Sequence, residues 1–88
     1  MHPCLYVLKS LKNGRFYIGS TSDLERRLKE HFGNKSKYTR ETGPYKIVFS
    51  QIYETLHEAR RAEKWLKSLK DRSFIVRIIQ SGRLEKKF

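Results

Sequence analysis

At 88 residues the chain has room for one domain, and a domain of that size buries only about 60–65% of its unfolded surface, so its core is thin. Twenty Lys and Arg against nine Asp and Glu leave a formal charge of +11, which favours a polyanionic partner, while a hydrophobic content of 38% argues against disorder. A lone cysteine, Cys4, excludes an internal disulfide framework, three scattered His exclude a tetrahedral zinc site with it, and no apolar run approaches the ~20 residues of a membrane span. With no signal-type leader pattern and a free thiol, the expected location is the cytoplasm.

Leu5–Leu11 alternates in the manner of a strand, and Phe16–Gly19 supplies a second. Between them Asn13-Gly14 signals a two-residue type I′ hairpin loop, whose central residues both need positive φ. That loop predicts pairing of Lys12 with Arg15, Ser10 with Tyr17 and Leu8 with Gly19. Tyr6, Leu8 and Ser10 then share a face with Tyr17 and Gly19. Leu5, Val7, Leu11, Phe16 and Ile18 fall on the other, more apolar face.

Ser22 and Glu25 read as a capping box opening a helix over Asp23–Phe32, which stops at Gly33-Asn34. Residues 34–44, NKSKYTRETGP, make a basic loop holding Tyr38. Tyr45–Tyr53, rich in β-branched and aromatic residues, is a third strand. Thr55 and Glu58 form a second capping box for a helix reaching Leu69, and Asp71 or Ser73 caps a short helix through Gln80, ended by Gly82. The order is ββαβαα, an α+β domain over residues 1–82, and the charged tail 83–88, RLEKKF, is expected to fray.

Projection at about 100° per residue sorts the polar residues. On the first helix Leu24, Leu28 and Phe32 point inward and Arg26, Lys29 and Glu30 outward. Arg27 and His31, one turn apart, lie at the border. An arginine there offers a bidentate fork for phosphate and a histidine a proton shuttle, although a solvated face is the ordinary alternative. On the second helix Leu56, Ala59, Ala62, Leu66 and Leu69 define the apolar stripe, and Glu63 falls inside it. A carboxylate in that position is costly unless it is paired, hydrogen-bonded or metal-bound. An internal salt bridge, with Arg27 as one partner, and a metal site both remain open. Tyr6 and Tyr17 share their face with Gly19, whose missing side chain leaves an opening where a backbone or phosphate could come close.

Taken in order, these residues resemble the GIY-YIG nuclease family. Tyr17-Ile18-Gly19 is its second signature triplet, and Cys4-Leu5-Tyr6 stands at the first, keeping the tyrosine. Arg27, His31 and Glu63 follow in the family's order, and the stretches GSTSDLERRLKEH, KYTR and EARRAEKWLK are similar to small stand-alone members. The resemblance covers nearly the whole chain and extends in fold to the catalytic domain of a bacterial excision-repair nuclease.

What the resemblance implies is a three-stranded antiparallel sheet flanked by helices and one divalent ion, Mg²⁺ or Mn²⁺, at Glu63. The implied activity is metal-dependent endonucleolytic hydrolysis of DNA phosphodiester bonds in repair, recombination or processing, with RNA as the alternative substrate. Tyr6 would orient or deprotonate the attacking water, which requires a nearby cation to depress its pKa from about 10. Arg27 would stabilise the phosphorane, and Tyr17 and His31 would position the phosphate or assist proton transfer. Lys35, Lys37, Tyr38 and Arg40 would grip the flanking backbone, with Tyr38 set to stack on an unpaired base. Neither a membrane nor a small-molecule cofactor is expected, and oligomeric state is not indicated. Two rivals share the charge: a non-catalytic nucleic-acid-binding module on the same fold, and a protein-interaction domain.

Overall fold

The computed structural model describes residues 2–32, 44–86 and 88, with His31 and Phe32 described as backbone only. Three strands, β1 (Cys4–Ser10), β2 (Phe16–Thr21) and β3 (Tyr45–Ile52), and three helices, α1 (Leu24–Phe32), α2 (Leu56–Leu69) and α3 (Arg72–Ser81), follow one another as ββαβαα. The sheet is antiparallel throughout in the order β2-β1-β3, so β1 is central and β2 is an edge. This is the expected α+β architecture. Among the described residues no helix is long and apolar enough to cross a membrane.

The hairpin departs from its expected register. Leu8 pairs with Tyr17 and Tyr6 with Gly19, two residues away from the pairing that a two-residue loop would impose. Only Gly14 in the loop has positive φ (74°), so Asn13 does not adopt the type I′ conformation. Ser10 closes the loop instead. Its N–H donates to the Arg15 carbonyl at 2.9 Å, its carbonyl accepts from Gly14 N–H at 2.9 Å, and its Oγ accepts from Lys12 N–H at 3.2 Å. A shift of two preserves which face each side chain occupies. Tyr6, Leu8 and Tyr17 therefore share a face as expected.

That face packs against α1. Tyr6, Leu8 and Tyr45 are buried there, with Tyr17, Leu24, Leu28 and Ile47 against them. Leu5 and Val7 on the opposite face join Phe49, Ala62, Leu66, Ile75 and Ile78 in the main core beneath α2 and α3. Strict alternation would put Tyr45, Ile47 and Phe49 on one face. Between Val7 and Leu8 the register of β3 slips by one residue, a bulge that sends Ile47 and Tyr45 toward α1 and Phe49 toward α2.

The caps follow from short polar side chains at helix starts. Thr55 Oγ1 accepts from Glu58 N–H at 3.1 Å and Asp71 Oδ1 from Phe74 N–H at 3.2 Å, while Gly82 (φ 76°) ends α3. At α1 the cap is Asp23, whose Oδ1 accepts from Arg26 N–H at 3.2 Å, one residue past the expected Ser22. Thr21 Oγ1 accepts from Asp23 N–H and holds that residue in place. Leu69, placed on the apolar stripe of α2, is the last residue of the helix and is 38% exposed.

The tail does not fray at Leu84. That residue is 4% exposed and its N–H and C=O both bond the Gln51 side chain, at 2.8 and 3.0 Å. Phe88 stacks edge-on against Tyr53 and Trp65. Counting charges in RLEKKF hid the two apolar residues that dock it.

Candidate active site

Tyr6 and Gly19 face each other across β1 and β2. The opening expected at Gly19 is filled by the protein itself. The Tyr6 ring extends over it, so a Cβ on Gly19 would come 2.5 Å from both Cζ and Oη of Tyr6. The glycine thus lets a central-strand tyrosine carry its hydroxyl to the open edge strand. Tyr17, two residues earlier on the same face, stands edge-on against Tyr45 with ring centroids 5.0 Å apart.

Glu63 approaches β2 from the other face. Its helix packs on the side of Leu5 and Val7, and its Oε1 accepts a hydrogen bond from Ser20 Oγ. Ser20 is the residue after Gly19, and successive strand residues point to opposite faces. The Tyr6 hydroxyl and the Glu63 carboxylate therefore meet β2 at adjacent positions from opposite sides. Glu63 Oε2 pairs with Lys67 Nζ at 2.5 Å, one turn along α2, in the favourable Glu-before-Lys orientation. The expected partner, Arg27, is engaged elsewhere, because it sits on α1 across the sheet. Arg27 Nη1 lies 3.6 Å from Glu30 Oε2, and its Nε is buried without a hydrogen-bond partner among the described residues.

Electrostatics at Tyr6 run against the depressed pKa expected of a base. Burial pushes the phenol up; Arg27 pulls it down, while Glu63, Cys4 and Glu30 push it up again. The net direction is upward, because loss of hydration on burial outweighs the pull of Arg27. Cys4, buried beside the same strand end, is likewise pushed up by burial. Tyr6 in the free protein is a neutral phenol that donates or accepts hydrogen bonds.

Tyr6 thus lies in electrostatic range of Arg27 on one side of the sheet and Glu63 on the other, with Tyr17 on the Tyr6 face. His31 occupies the helical turn after Arg27. Lys35, Lys37, Tyr38 and Arg40 lie outside the described residues. Ser20 and Lys67 escaped the sequence reading, although both are local to known positions: one follows Gly19, the other is four residues past Glu63.

A metal at Glu63 would rest on at most two such protein donors, since no group of three or more His, Cys, Asp or Glu converges among the described residues. Such a donor set does not suit zinc. It fits Mg²⁺, which keeps most of its waters and takes one or two carboxylates plus substrate phosphates. Glu63 is 23% exposed, so water and a phosphate can reach it.

The sequence matches the model of the GIY-YIG catalytic domain over residues 2–74. It is 38% identical over 73 residues to the UPF0213 protein BH0048 of Halalkalibacterium halodurans, covering 82% of this chain and 77% of that protein. The UPF0213 protein CPE1444 of Clostridium perfringens is 41% identical over 66 residues, 74% of this chain and 70% of its own. The solution NMR structure of BH0048 superposes with a TM-score of 0.58 at 34% identity, covering 93% of this chain and 87% of that one.

Proposed function

The chain belongs to the GIY-YIG family, a family of nucleases, and on that premise we propose that it is a divalent-metal-dependent endonuclease hydrolysing DNA phosphodiester bonds, in repair, recombination or processing. The observation that carries the reading is the placement of the Tyr6 hydroxyl over Gly19, within the fields of both Arg27 and Glu63.

Glu63 would hold Mg²⁺ or Mn²⁺ together with a phosphate oxygen, and the ion would supply charge neutralisation at the scissile phosphate. Ser20 Oγ donates to Oε1 and so holds the carboxylate in place. Tyr6, a neutral phenol, orients the attacking water at Oη; giving up its own proton requires positive charge to offset burial first and Glu63 after it. Arg27 is 42% exposed at its side chain and has donors to give, so its fork stabilises negative charge developing on the phosphate. Tyr17 and His31 position the phosphate, and Lys35, Lys37, Tyr38 and Arg40 hold the flanking strand.

One observation favours a second reading. Lys67 already neutralises Glu63, as expected of a non-catalytic nucleic-acid-binding module on this fold. Incubation with single-stranded, duplex, flap and branched DNA, with Mg²⁺ or Mn²⁺ against chelator, separates the two. Chelator-sensitive cleavage supports the nuclease; binding to every substrate without cleavage supports the module.

A further inference from the structure

Beside the candidate site a groove of about 350 Å³ runs between β2 and the corner joining α2 to α3. Its charged walls are Arg15, Lys67, Lys70 and Arg72, against a single acid, Asp71, whose carboxylate is engaged as the α3 cap. We infer that this groove is a second phosphate-binding track, which takes the backbone of a DNA strand leaving the Glu63 site. This rests on the nuclease reading only for the direction in which the strand runs.

Three observations carry it. Lys67 pairs with Glu63 and also lines the groove, so the candidate site and the groove are continuous. From Glu63 to Lys70 the helix advances about 10 Å, on the order of three base-pair rises of one strand. Arg72 is held ready: its guanidinium lies 4.5 Å from the Phe16 ring centroid and its Nη1 donates to the Gly14 carbonyl at 3.1 Å. A held arginine loses little freedom on taking a phosphate.

Lys70 extends the same cationic wall. It ends α2 in the left-handed region (φ 49°, ψ 37°), a position where glycine is the favoured residue. Among the described residues it is the one non-glycine residue with positive φ. The strain is tolerated where a cation is wanted at the mouth of the groove. Because Arg72 covers Phe16, no bare aromatic face is offered for base stacking, and the groove reads charge rather than sequence.

The test uses the full chain in chelator, so that binding is measured apart from cleavage. Salt titration of a short labelled duplex, and of its single strand, is run on the double variant Arg15→Gln/Lys70→Gln. A second double variant, Arg77→Gln/Arg83→Gln, removes the same charge elsewhere. The groove pair should weaken binding by on the order of 10-fold at moderate salt and lower the log–log slope by nearly two units for duplex. The control pair should move both much less. Equal losses from the two pairs, or an unchanged slope in a groove variant that melts like the parent, overturn the track. So does a parent chain that binds neither form of DNA. A parent that binds through the groove yet cuts nothing with Mg²⁺ or Mn²⁺ overturns the nuclease reading and leaves the track standing.

Discussion

The ring of Tyr6 occupies the space that a side chain on Gly19 would claim, with a Cβ there only 2.5 Å from the Tyr6 Cζ and Oη. Both atoms belong to a stiff ring on the central strand, so neither can swing aside cheaply. Gly19→Ala should therefore cost about 1–3 kcal/mol by overpacking and displace the hydroxyl from the edge of β2. Urea denaturation measures the cost. The double variant Gly19→Ala/Tyr6→Ala should be far less destabilised than the sum of its parts, a coupling that appears only if the two residues touch.

Tyr6→Phe removes one oxygen and should leave folding intact at neutral pH while lowering cleavage by on the order of 10². It should also change the alkaline limb of stability. Burial pushes the Tyr6 and Tyr53 phenols up, so the native chain holds protons that the unfolded chain has released. Their stabilisation is complete below about pH 10, the unfolded value, and is lost as pH rises through the folded values. The buried Cys4 thiol, also pushed up by burial, adds the same trend from about pH 9. Urea midpoints measured across the alkaline range should fall less steeply in Tyr6→Phe than in the parent chain.

Glu63→Gln is nearly isosteric and keeps an oxygen to accept from Ser20. Lys67, 55% exposed at its side chain, returns to water when its partner is neutralised, so the loss in stability should stay within about 1 kcal/mol. A buried cation stranded by the same change would have cost several times more. Metal-dependent cleavage should vanish, with DNA binding equal to the parent or tighter. If the variant melts normally and still cuts with Mg²⁺, Glu63 is not the metal ligand.

Leu84→Ala should destabilise the chain by about 2–5 kcal/mol, because its side chain is buried in the main core and its backbone closes on Gln51. Thermal melting distinguishes this from the near-zero effect expected of a frayed tail.

Much of the fold was legible in the residues because it depends on local chemistry. Thr55 and Asp71 cap helices through bonds to residues three positions on, and Gly82 ends α3 through its own φ. The hairpin faces survived a wrong loop length because a two-residue slip leaves strand parity unchanged. The positions of Tyr6, Tyr17, Arg27 and Glu63 along the chain, and hence the family, were likewise carried by order and spacing.

What the tertiary structure decided is how those positions meet. Glu63 lies on the inner stripe of α2, yet which group answers its charge depends on which sheet face that helix covers. Packing over Leu5 and Val7 puts it beside Ser20 and leaves Arg27 on the far side, so the cation that answers it is Lys67, one turn along its own helix. Gly19 reads in sequence as an opening for a ligand; the register across β1 and β2 turns it into a seat for Tyr6. The direction of the Tyr6 pKa, likewise, follows from burial summed over groups on β1, α1 and α2, a sum that no local window contains. Helix caps and strand parity are short-range and one-dimensional, so the residues determine them alone. Charge pairing and desolvation depend on three-dimensional distance, which exists only after the helices have chosen their faces of the sheet.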